Sequence, residues 1–345
     1  MPMRVARPAM GGMYDLHART RETVAVTSGD EQATAARASV PTGPFDLSVV
    51  ISTHSRPEQV REAIAAVVAQ DHPGPIETIV VWDKNEPEWD LAVADPHRPV
   101  RILFNDRGNG LPGSRNCGAA AAQAPILGFC DDDDLWLPEK AARQLALLER
   151  TGSDTSTTGL EVLIDGNVIP RRGTDGILRF VDLLRSRRME AYMGTAVVRA
   201  EAFWDPTRIG PMDEHIPGGY AEDYEWMLRA ARHEPIVVDP EPLLRMRWIV
   251  QSHFRDQWPD WEAALTQVLE RNPEFSGEPK GRARIEGQIA VAIAAQGRRR
   301  DALRQVRATL GWSVREPRAY LALLVAAGVP ADALTAFLNK RGRGI

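Results

Sequence analysis

The sequence predicts an α/β fold built on a parallel sheet, followed by a region that is entirely helical. Two observations support this prediction. From residue 45 onward, short β-branched apolar runs alternate with segments of helical periodicity, which is typical of parallel strands joined by helical crossovers. From about residue 254 the periodicity is helical throughout. We therefore expect a flexible, turn-rich leader at residues 1–44, an α/β domain at residues 45–253 and a helical region at residues 254–345.

Four short apolar runs predict the first strands of the sheet. The first run is rich in β-branched residues, which suits a buried strand. The runs are Leu47–Ser52, Ile76–Trp82, Val100–Phe104 and Pro125–Cys130. Helices are predicted from Pro57 to Gln70, from Ser114 to Ala122 and from Pro138 to Arg150. Ligands of such sheets bind beyond the carboxyl ends of the strands, where Asp83 and the aspartates at 131–134 stand.

The pattern from residue 151 to residue 250 predicts a mixed extension of the sheet. Asp165 and Gly166 separate two short apolar runs, which predicts a β-hairpin. Further strands are expected at Ala191–Arg199, Ile236–Val238 and Leu243–Ile249, and a helix at Glu222–His233.

Composition excludes several classes of protein. The chain has 345 residues, 43% of them hydrophobic and 26% charged, with a net charge of -5, as expected of a globular protein. No run approaches the roughly 18 apolar residues of a membrane span, and no secretory signal follows the N-terminal arginines. The mild acidity argues against a nucleic-acid-binding protein. Two cysteines form no disulfide framework, so we expect a cytoplasmic protein.

Four consecutive aspartates, Asp131–Asp134, are the most informative feature of the sequence. Adjacent carboxylates repel one another unless a positive charge is present. Because Mg²⁺ and Mn²⁺ bind through one or two carboxylates together with phosphate oxygens, the run predicts a site for a metal ion and a diphosphate at a strand end. The alternative is a solvated turn in which Asp134 caps a helix that begins near Leu135.

A second informative feature is an acidic pair, Glu222 and Asp223, which opens a predicted helix just after Gly218 and Gly219. One interpretation is that the two carboxylates only compensate the positive end of the helix dipole. The other is that one of them is a general base at the mouth of a site.

These motifs occur together in a known family. Five stretches match it in the family's order: Val49–Pro57, Glu77–Asp83, Gly110–Asn116, Phe129–Lys140 and Ala221–Trp226. On these stretches, residues 45 to about 250 resemble the family 2 glycosyltransferases of the GT-A fold. The resemblance implies an enzyme that moves a sugar from a nucleoside diphosphate sugar to a hydroxyl group of an acceptor, with inversion at the anomeric carbon.

The resemblance also implies a divalent ion, Mn²⁺ or Mg²⁺. Asp131 and Asp133 fall on the two aspartates of the family's D-x-D motif. Asp133 would hold the ion that bridges the diphosphate, and Asp131 would lie near the ribose and the same ion. His253 follows a basic segment and is a third candidate ligand, since similar proteins often carry histidine or basic residues there, near the diphosphate.

Other residues fall on positions that contact the nucleotide sugar in the family. Asp83 matches the acid at a strand end that contacts the nucleobase. The remaining candidates are Thr53 and Arg56 in the first nucleotide-binding loop, Arg115 and Asn116 in the nucleotide pocket, and Asp132 within the acidic run. A UDP sugar is the favoured donor, although Trp82 stands where similar sequences usually carry an acid.

The resemblance assigns the catalytic base to Asp223, with Glu222 as the second candidate. A carboxylate must take the proton of the acceptor hydroxyl, which is a poor nucleophile. The acceptor class stays open among small molecules, peptides and glycans. The C-terminal helices either shape the acceptor site or form a homo-oligomer.

Two other functions compete with this interpretation. Gly108, Gly110 and Gly113 match the dinucleotide fingerprint G-x-G-x-x-G, which would indicate an NAD-binding oxidoreductase. Pro112 stiffens that loop, however, and four aspartates are too many for one ribose contact. The other alternative is a catalytically inactive sugar-binding protein, against which the two intact acidic motifs argue.

Overall fold

The predicted fold class is confirmed by the structure, a computed structural model that describes residues 43–105, 110–164, 166–248, 257–331 and 334. The described residues contain one mixed sheet with helices on both faces. Its strands are β1 (Leu47–Thr53), β2 (Ile76–Asp83), β3 (Val100–Asn105), β4 (Ile126–Asp131), β5 (Asp134–Trp136), β6 (Thr155–Ile164), β7 (Asn167–Arg171), β8 (Gly176–Leu178), β9 (Val197–Arg199) and β10 (Ile236–Arg247).

The helices follow the predicted order along the chain. In the α/β part they are α1 (Pro57–Val68), α2 (Gly110–Ala121), α3 (Lys140–Thr151), α4 (Phe180–Arg185), α5 (Ala200–Trp204) and α6 (Glu222–His233). The C-terminal part contains α7 (Trp258–Arg271), α8 (Pro279–Ala295), α9 (Arg299–Trp312) and α10 (Pro317–Ala326).

The first four strands form the parallel half of the sheet, in the spatial order β3-β2-β1-β4. Their side chains alternate between two hydrophobic cores because successive residues of a strand point to opposite faces. Val49 and Ile51 face the core that contains α1 and α3. Val50 faces the core that contains α2, α6 and the C-terminal helices. The parallel arrangement brings the carboxyl ends of β1, β2 and β4 to one edge.

The second half of the sheet is mixed, as predicted, but differs in detail. β9 is antiparallel to both β4 and β6, whereas β10 is parallel to β6. The strand expected from residue 191 begins only at Val197, because Met193–Thr195 form a 3-10 turn. The two strands expected after residue 235 are one strand, β10, in which Pro242 marks a register shift.

The possible helix cap at Asp134 is wrong. Asp134 lies in the short strand β5, which pairs with β10, and the next helix begins only at Lys140. Helix α2, in contrast, begins at Gly110, earlier than the predicted Ser114.

Helix α2 packs very closely on the parallel strands because it carries a glycine at the contact. A Cβ atom on Gly118 would lie 2.3 Å from Cγ1 of Val50. This approach presses α2 against β1 and β2 and places Arg115, one turn earlier, at the carboxyl edge of the sheet.

The C-terminal helices pack on the α/β part and share its core. Ile285 and Ile289 of α8 belong to the same hydrophobic cluster as Phe203 and Tyr224. Arg185 forms an ion pair with Glu278, at 3.1 Å, across this contact. Among the described residues, none of the helices has the length and apolar character needed to cross a bilayer.

Gly281 lies where α8 packs on α4, and a substitution there tests how closely the two helices pack. A Cβ atom there would lie 1.7 Å from the carbonyl oxygen of Leu184, at the end of α4. Gly281→Ala should lower the free energy of unfolding by about 1–3 kcal/mol, because one backbone must move away from the other. Gly311→Ala is the matched control, since nothing lies near its Cβ position and alanine favours a helix by up to about 1 kcal/mol. Urea unfolding measures the free energy of unfolding of both variants. An equal change in the two variants would contradict the close contact at Gly281.

Candidate active site

The predicted nucleotide-binding residues lie at the carboxyl edge of the parallel strands. Thr53 ends β1, Asp83 ends β2 and Asp131 ends β4. The strand register pairs Thr53 with Trp82, and Ser52 with Asp131, so the three strand ends are adjacent. The sequence prediction that these positions meet at one edge agrees with this register.

The acidic run forms the turn between β4 and β5 and is held from both sides. Thr53 Oγ1 donates a hydrogen bond of 2.7 Å to Asp132. Arg56 Nη1 donates to Asp132 at 3.1 Å and to Asp133 at 2.5 Å. The loop after β1 therefore contacts the acidic run directly.

The other two aspartates of the run differ sharply in their surroundings. Asp131 accepts hydrogen bonds from Arg115 Nη2, at 2.7 Å, and from the Tyr192 hydroxyl, at 2.5 Å. Asp134 is only 1% exposed, and neither of its carboxylate oxygens has a hydrogen-bond partner within the described part of the chain. A buried carboxylate without a donor is costly, and a positively charged ligand bound to the run would offset that cost.

Electrostatics support the same interpretation. Burial, together with the negative charge of Asp131, raises the pKa of Asp133 to about 6. Burial and the charges of Asp131 and Asp133 also raise the pKa of Asp134 well above its usual value. The fold thus holds the carboxylates together against their mutual repulsion, and a bound cation would relieve it.

Asp83 lies in a separate polar pocket at the end of β2. Its Oδ1 atom accepts a hydrogen bond of 3.0 Å from Asn105 Nδ2, and Asn105 also contacts Ser114 Oγ at 3.2 Å. The preceding residue, Trp82, is buried in the hydrophobic core. Trp82, which stands where similar sequences usually carry an acid, therefore contributes to the hydrophobic core.

Arg115 connects the acidic run to the helix that carries the acidic pair. It is 2% exposed, and its guanidinium group contacts Asp131 at 2.7 Å and Glu222 at 2.8 Å. The planar fork of arginine suits such a bridge between two carboxylates. The bridge fixes the first turn of α6 relative to the end of β4.

Asn116, which was expected in the nucleotide pocket, uses its amide within the protein. Its Oδ1 atom accepts from the backbone N–H of Met212, and its Nδ2 atom donates to the carbonyl of Met212 and to Glu214, each at 2.9 Å. The residue therefore anchors the segment that leads towards α6.

Asp223 lies in the first turn of α6, next to a backbone that is unusual for its sequence. Ala221, the residue before the helix, has a φ of 60°. Such a left-handed conformation is uncommon and costly for a residue with a side chain, and strained residues of this kind cluster at active sites. Both carboxylate oxygens of Asp223 accept from Arg187 Nη2, at 3.0 and 2.8 Å.

Glu222 gives a prediction for the pH dependence of stability. Burial and the charge of Asp223 raise its pKa from 4.5 to about 7. In that pH range the folded protein retains a proton that the unfolded chain has lost, so stability falls as pH rises. Glu222 should therefore lower the free energy of unfolding by up to about 3 kcal/mol as the pH rises, and Glu222→Gln should remove this fall. Urea unfolding of wild type and Glu222→Gln at about pH 5 and about pH 8 measures the free energy of unfolding of each protein. If the free energies of the two proteins differ by the same amount at both pH values, the raised pKa is contradicted.

Two residues that contact acidic side chains of the site were not predicted from the sequence. Arg187, to which the sequence analysis gave no role, contacts Asp223 at 2.8 Å. Tyr192 contacts Asp131 from a position with no sequence signal. His253, the third candidate metal ligand, and Gly108 of the glycine motif lie outside the described residues.

A second group of possible metal ligands, Asp154, His233 and Glu234, lies near the end of α6. Its central carboxylate is already occupied, since Arg208 holds both oxygens of Asp154. This cluster is best described as a structural ion-pair network.

Comparison with known proteins identifies the α/β part. The profile of the family described as "Glycosyl transferase family 2" matches residues 48–204. The succinoglycan biosynthesis protein ExoO of Rhizobium meliloti is 28% identical over 125 residues, which are 35% of each chain. An uncharacterized glycosyltransferase of Nostoc is 30% identical over 137 residues, covering 38% of this chain and 41% of that protein. The chain thus spans well under half the length of these curated relatives.

Solved structures share the fold over most of the chain. S. aureus TarS 1-349 in complex with UDP-GlcNAc superimposes with a TM-score of 0.57 at 14% identity, over 87% of this chain and 93% of that one. The complex of the same protein with UDP gives a TM-score of 0.52 at 15% identity, over 87% and 92%. At this identity the likeness establishes the fold. Residues 48–204 therefore match the Glycosyl transferase family 2, and the chain has the GT-A fold.

Proposed function

We propose that this protein transfers a sugar from a nucleoside diphosphate sugar to a hydroxyl group of an acceptor. The observation that carries the proposal is the buried bridge from Asp131 through Arg115 to Glu222. It joins the strand end that would bind the donor to the helix that carries Asp223. A site for a leaving group and a site for a base are thereby held in one rigid unit.

The donor would bind along the carboxyl edge of the strands. Asp83, in its pocket with Asn105, would contact the nucleobase, and Asp131 would lie near the ribose. UDP is the favoured nucleotide, because the TarS structures that share this fold include complexes with UDP and UDP-GlcNAc. Thr53 and Arg56 would position the acidic run, which they contact directly.

The residues of the acidic run fit a divalent cation, Mn²⁺ or Mg²⁺. The unpartnered oxygens of Asp134 and the raised pKa of Asp133 indicate a deficit of positive charge. Carboxylate oxygens are the ligands that these hard cations prefer. Asp133 and Asp131 would hold the cation. When bound, the ion stabilises the charge that develops on the departing diphosphate.

Asp223 would act as the general base, and Glu222 is the second candidate. Asp223 would accept the proton of the acceptor hydroxyl while that oxygen attacks the anomeric carbon from the side opposite the diphosphate, which inverts the configuration. Glu222 is the second candidate because its carboxylate already accepts a hydrogen bond from Arg115 in the buried bridge.

The NAD-binding alternative is not favoured. Gly110 is the first residue of α2 and Gly113 is buried within it. The strand before this motif, β3, is the end strand of the sheet path, next to β2. Dinucleotides bind instead at the central point where the strand order reverses.

A screen of donor sugars tests the proposal. The purified chain should release UDP from a UDP sugar in the presence of Mn²⁺ or Mg²⁺, and a chelator should abolish the release. Asp133→Asn should be inactive, whereas Asp90→Asn, which removes an exposed acid, should retain activity. Failure to release any nucleotide, combined with thermal stabilisation by NAD, would refute the proposal.

A further inference from the structure

Asp223, the proposed general base, accepts three hydrogen bonds that are shared unevenly between its two oxygens. Its Oδ1 atom accepts from Arg187 Nη2, at 3.0 Å, and from the backbone N–H of Tyr224, at 2.6 Å. Its Oδ2 atom accepts from Arg187 Nη2 at 2.8 Å, and the described residues supply no second donor to it. Each carboxylate oxygen has about two lone pairs that can accept a hydrogen bond. Oδ2 therefore keeps a lone pair for the proton of an acceptor hydroxyl.

Arg187 reaches Asp223 from a different part of the chain. It lies just after α4, which ends at Arg185, whereas Asp223 lies in the first turn of α6. The arginine side chain is 46% exposed, and that of Asp223 is 7% exposed. Because one nitrogen of Arg187 contacts both oxygens of Asp223, the contact restricts rotation of the carboxylate about its Cβ–Cγ bond.

The C-terminal helix α8 holds the end of α4, from which Arg187 extends. A Cβ atom on Gly281 would lie 1.7 Å from the carbonyl oxygen of Leu184 and 3.3 Å from the Cα atom of Arg185, so the two backbones are in direct contact. Arg185 also forms an ion pair of 3.1 Å with Glu278, just before α8. Because Arg187 is only two residues further along, the packing of α8 limits where its backbone can lie.

A second connection passes through Tyr224, the neighbour of Asp223 in α6. Tyr224 is 1% exposed, and its hydroxyl donates to the carbonyl oxygen of Leu183, in α4, at 2.7 Å. The same hydroxyl accepts from Arg284 Nη2, in α8, at 2.8 Å. One buried hydroxyl thus joins α4, α6 and α8, one residue away from the proposed base. Buried polar networks whose members are satisfied make the elements that share them rigid.

We propose that Arg187 is a positioning residue for Asp223, and that the C-terminal helices hold Arg187 and Asp223 in place for catalysis. The inference rests on the proposed function, because it assigns Arg187 a role relative to the general base of that reaction. Arg187 would keep Asp223 Oδ2 directed at the acceptor hydroxyl. Oδ2 would then take the proton while the hydroxyl oxygen bonds to the anomeric carbon and the bond from that carbon to the diphosphate breaks.

Arg187→Ala tests the positioning role. UDP release from a UDP sugar, with water as the acceptor, should slow by about 100-fold because the base loses its orientation, and UDP affinity should not change. Arg187→Lys keeps one charged donor and should retain part of the turnover. Millimolar guanidinium chloride should restore part of the turnover of Arg187→Ala, since solvent reaches the side chain that it replaces. Arg188→Ala, which removes the neighbouring exposed arginine, should have wild-type turnover and no response to guanidinium.

Tyr224→Phe tests the connection to the C-terminal helices. It removes the hydroxyl that Leu183 and Arg284 share, and it should lower turnover at least about tenfold with UDP affinity unchanged. Guanidinium should not restore this loss, because Arg187 is still present. Tyr320→Phe is the matched control, since it removes an exposed hydroxyl that donates to the carbonyl oxygen of Val314, and it should leave turnover unchanged.

The failures are distinguishable. Wild-type turnover in Arg187→Ala, or a loss that neither lysine nor guanidinium reduces, would overturn the positioning role while leaving the proposed function intact. An equal loss of turnover and UDP affinity would indicate a general structural effect and would also overturn it. Wild-type turnover in Tyr224→Phe would overturn the role of the C-terminal helices. Absence of UDP release by the wild type from every UDP sugar would instead refute the proposed function.

Discussion

Asp223→Asn should lower the turnover of sugar transfer by about 10²–10⁴-fold, the usual contribution of a general base. The asparagine side chain has the same size and can still accept a hydrogen bond from Arg187, so the helix should stay in place. It has no basic oxygen, however, to take the proton of the acceptor. Steady-state kinetics with the identified donor measures the loss, and calorimetry with UDP should show unchanged affinity.

Two companion variants make this result specific. Glu225→Gln removes another buried carboxylate of the same helix, one that pairs with Arg229, and should affect stability more than turnover. Glu222→Gln tests the second candidate base. Turnover near the wild-type level in Asp223→Asn, with a large loss in Glu222→Gln, would move the catalytic role to Glu222.

Arg115→Met should lower the free energy of unfolding by about 3–5 kcal/mol, the usual cost of removing one partner of a buried ion pair. The change leaves Asp131 and Glu222 buried without the guanidinium group that both contact. Urea unfolding measures the loss. Arg115→Lys should recover only part of it, because an ammonium group lacks the fork that reaches both carboxylates.

A double variant tests the cause of that instability. Glu222→Gln should restore part of the stability of Arg115→Met, because it removes one of the two buried carboxylates that have lost their arginine partner. Strictly additive effects of the two substitutions, or a loss below about 1 kcal/mol in Arg115→Met, would contradict the buried bridge.

The sheet and its acidic edge could be predicted from the sequence because local patterns define them. The strand ends at Thr53, Asp83 and Asp131 follow from short apolar runs, and parallel topology then brings such ends together. The acidic pair at Glu222 likewise marks the true start of α6.

Side-chain partners across the fold could not be predicted, because they depend on tertiary packing. Arg187 contacts Asp223 over 36 residues, and Tyr192 contacts Asp131 over 61 residues. Neither has a spacing that a helix or strand would impose. The approach of α8 to α4 depends on Gly281, whose role appears only when Leu184 is seen beside it.

A role that the family resemblance implies for a residue also has to agree with the contacts of that residue in the structure. Asn116 matches a pocket position of the family, yet its amide is bound to Met212 and Glu214. We therefore propose that it positions the chain before α6 and does not contact the nucleotide. Asp134 looked like a helix cap but lies buried in β5 with its oxygens unpartnered.

Calorimetric titration of UDP with and without Mn²⁺ tests the central claim most directly, using wild type and Asp133→Asn. The account predicts that Mn²⁺ tightens UDP binding to wild type by at least about tenfold and that this gain is lost in Asp133→Asn. UDP affinity that does not respond to Mn²⁺, or an equal response in both proteins, would contradict it.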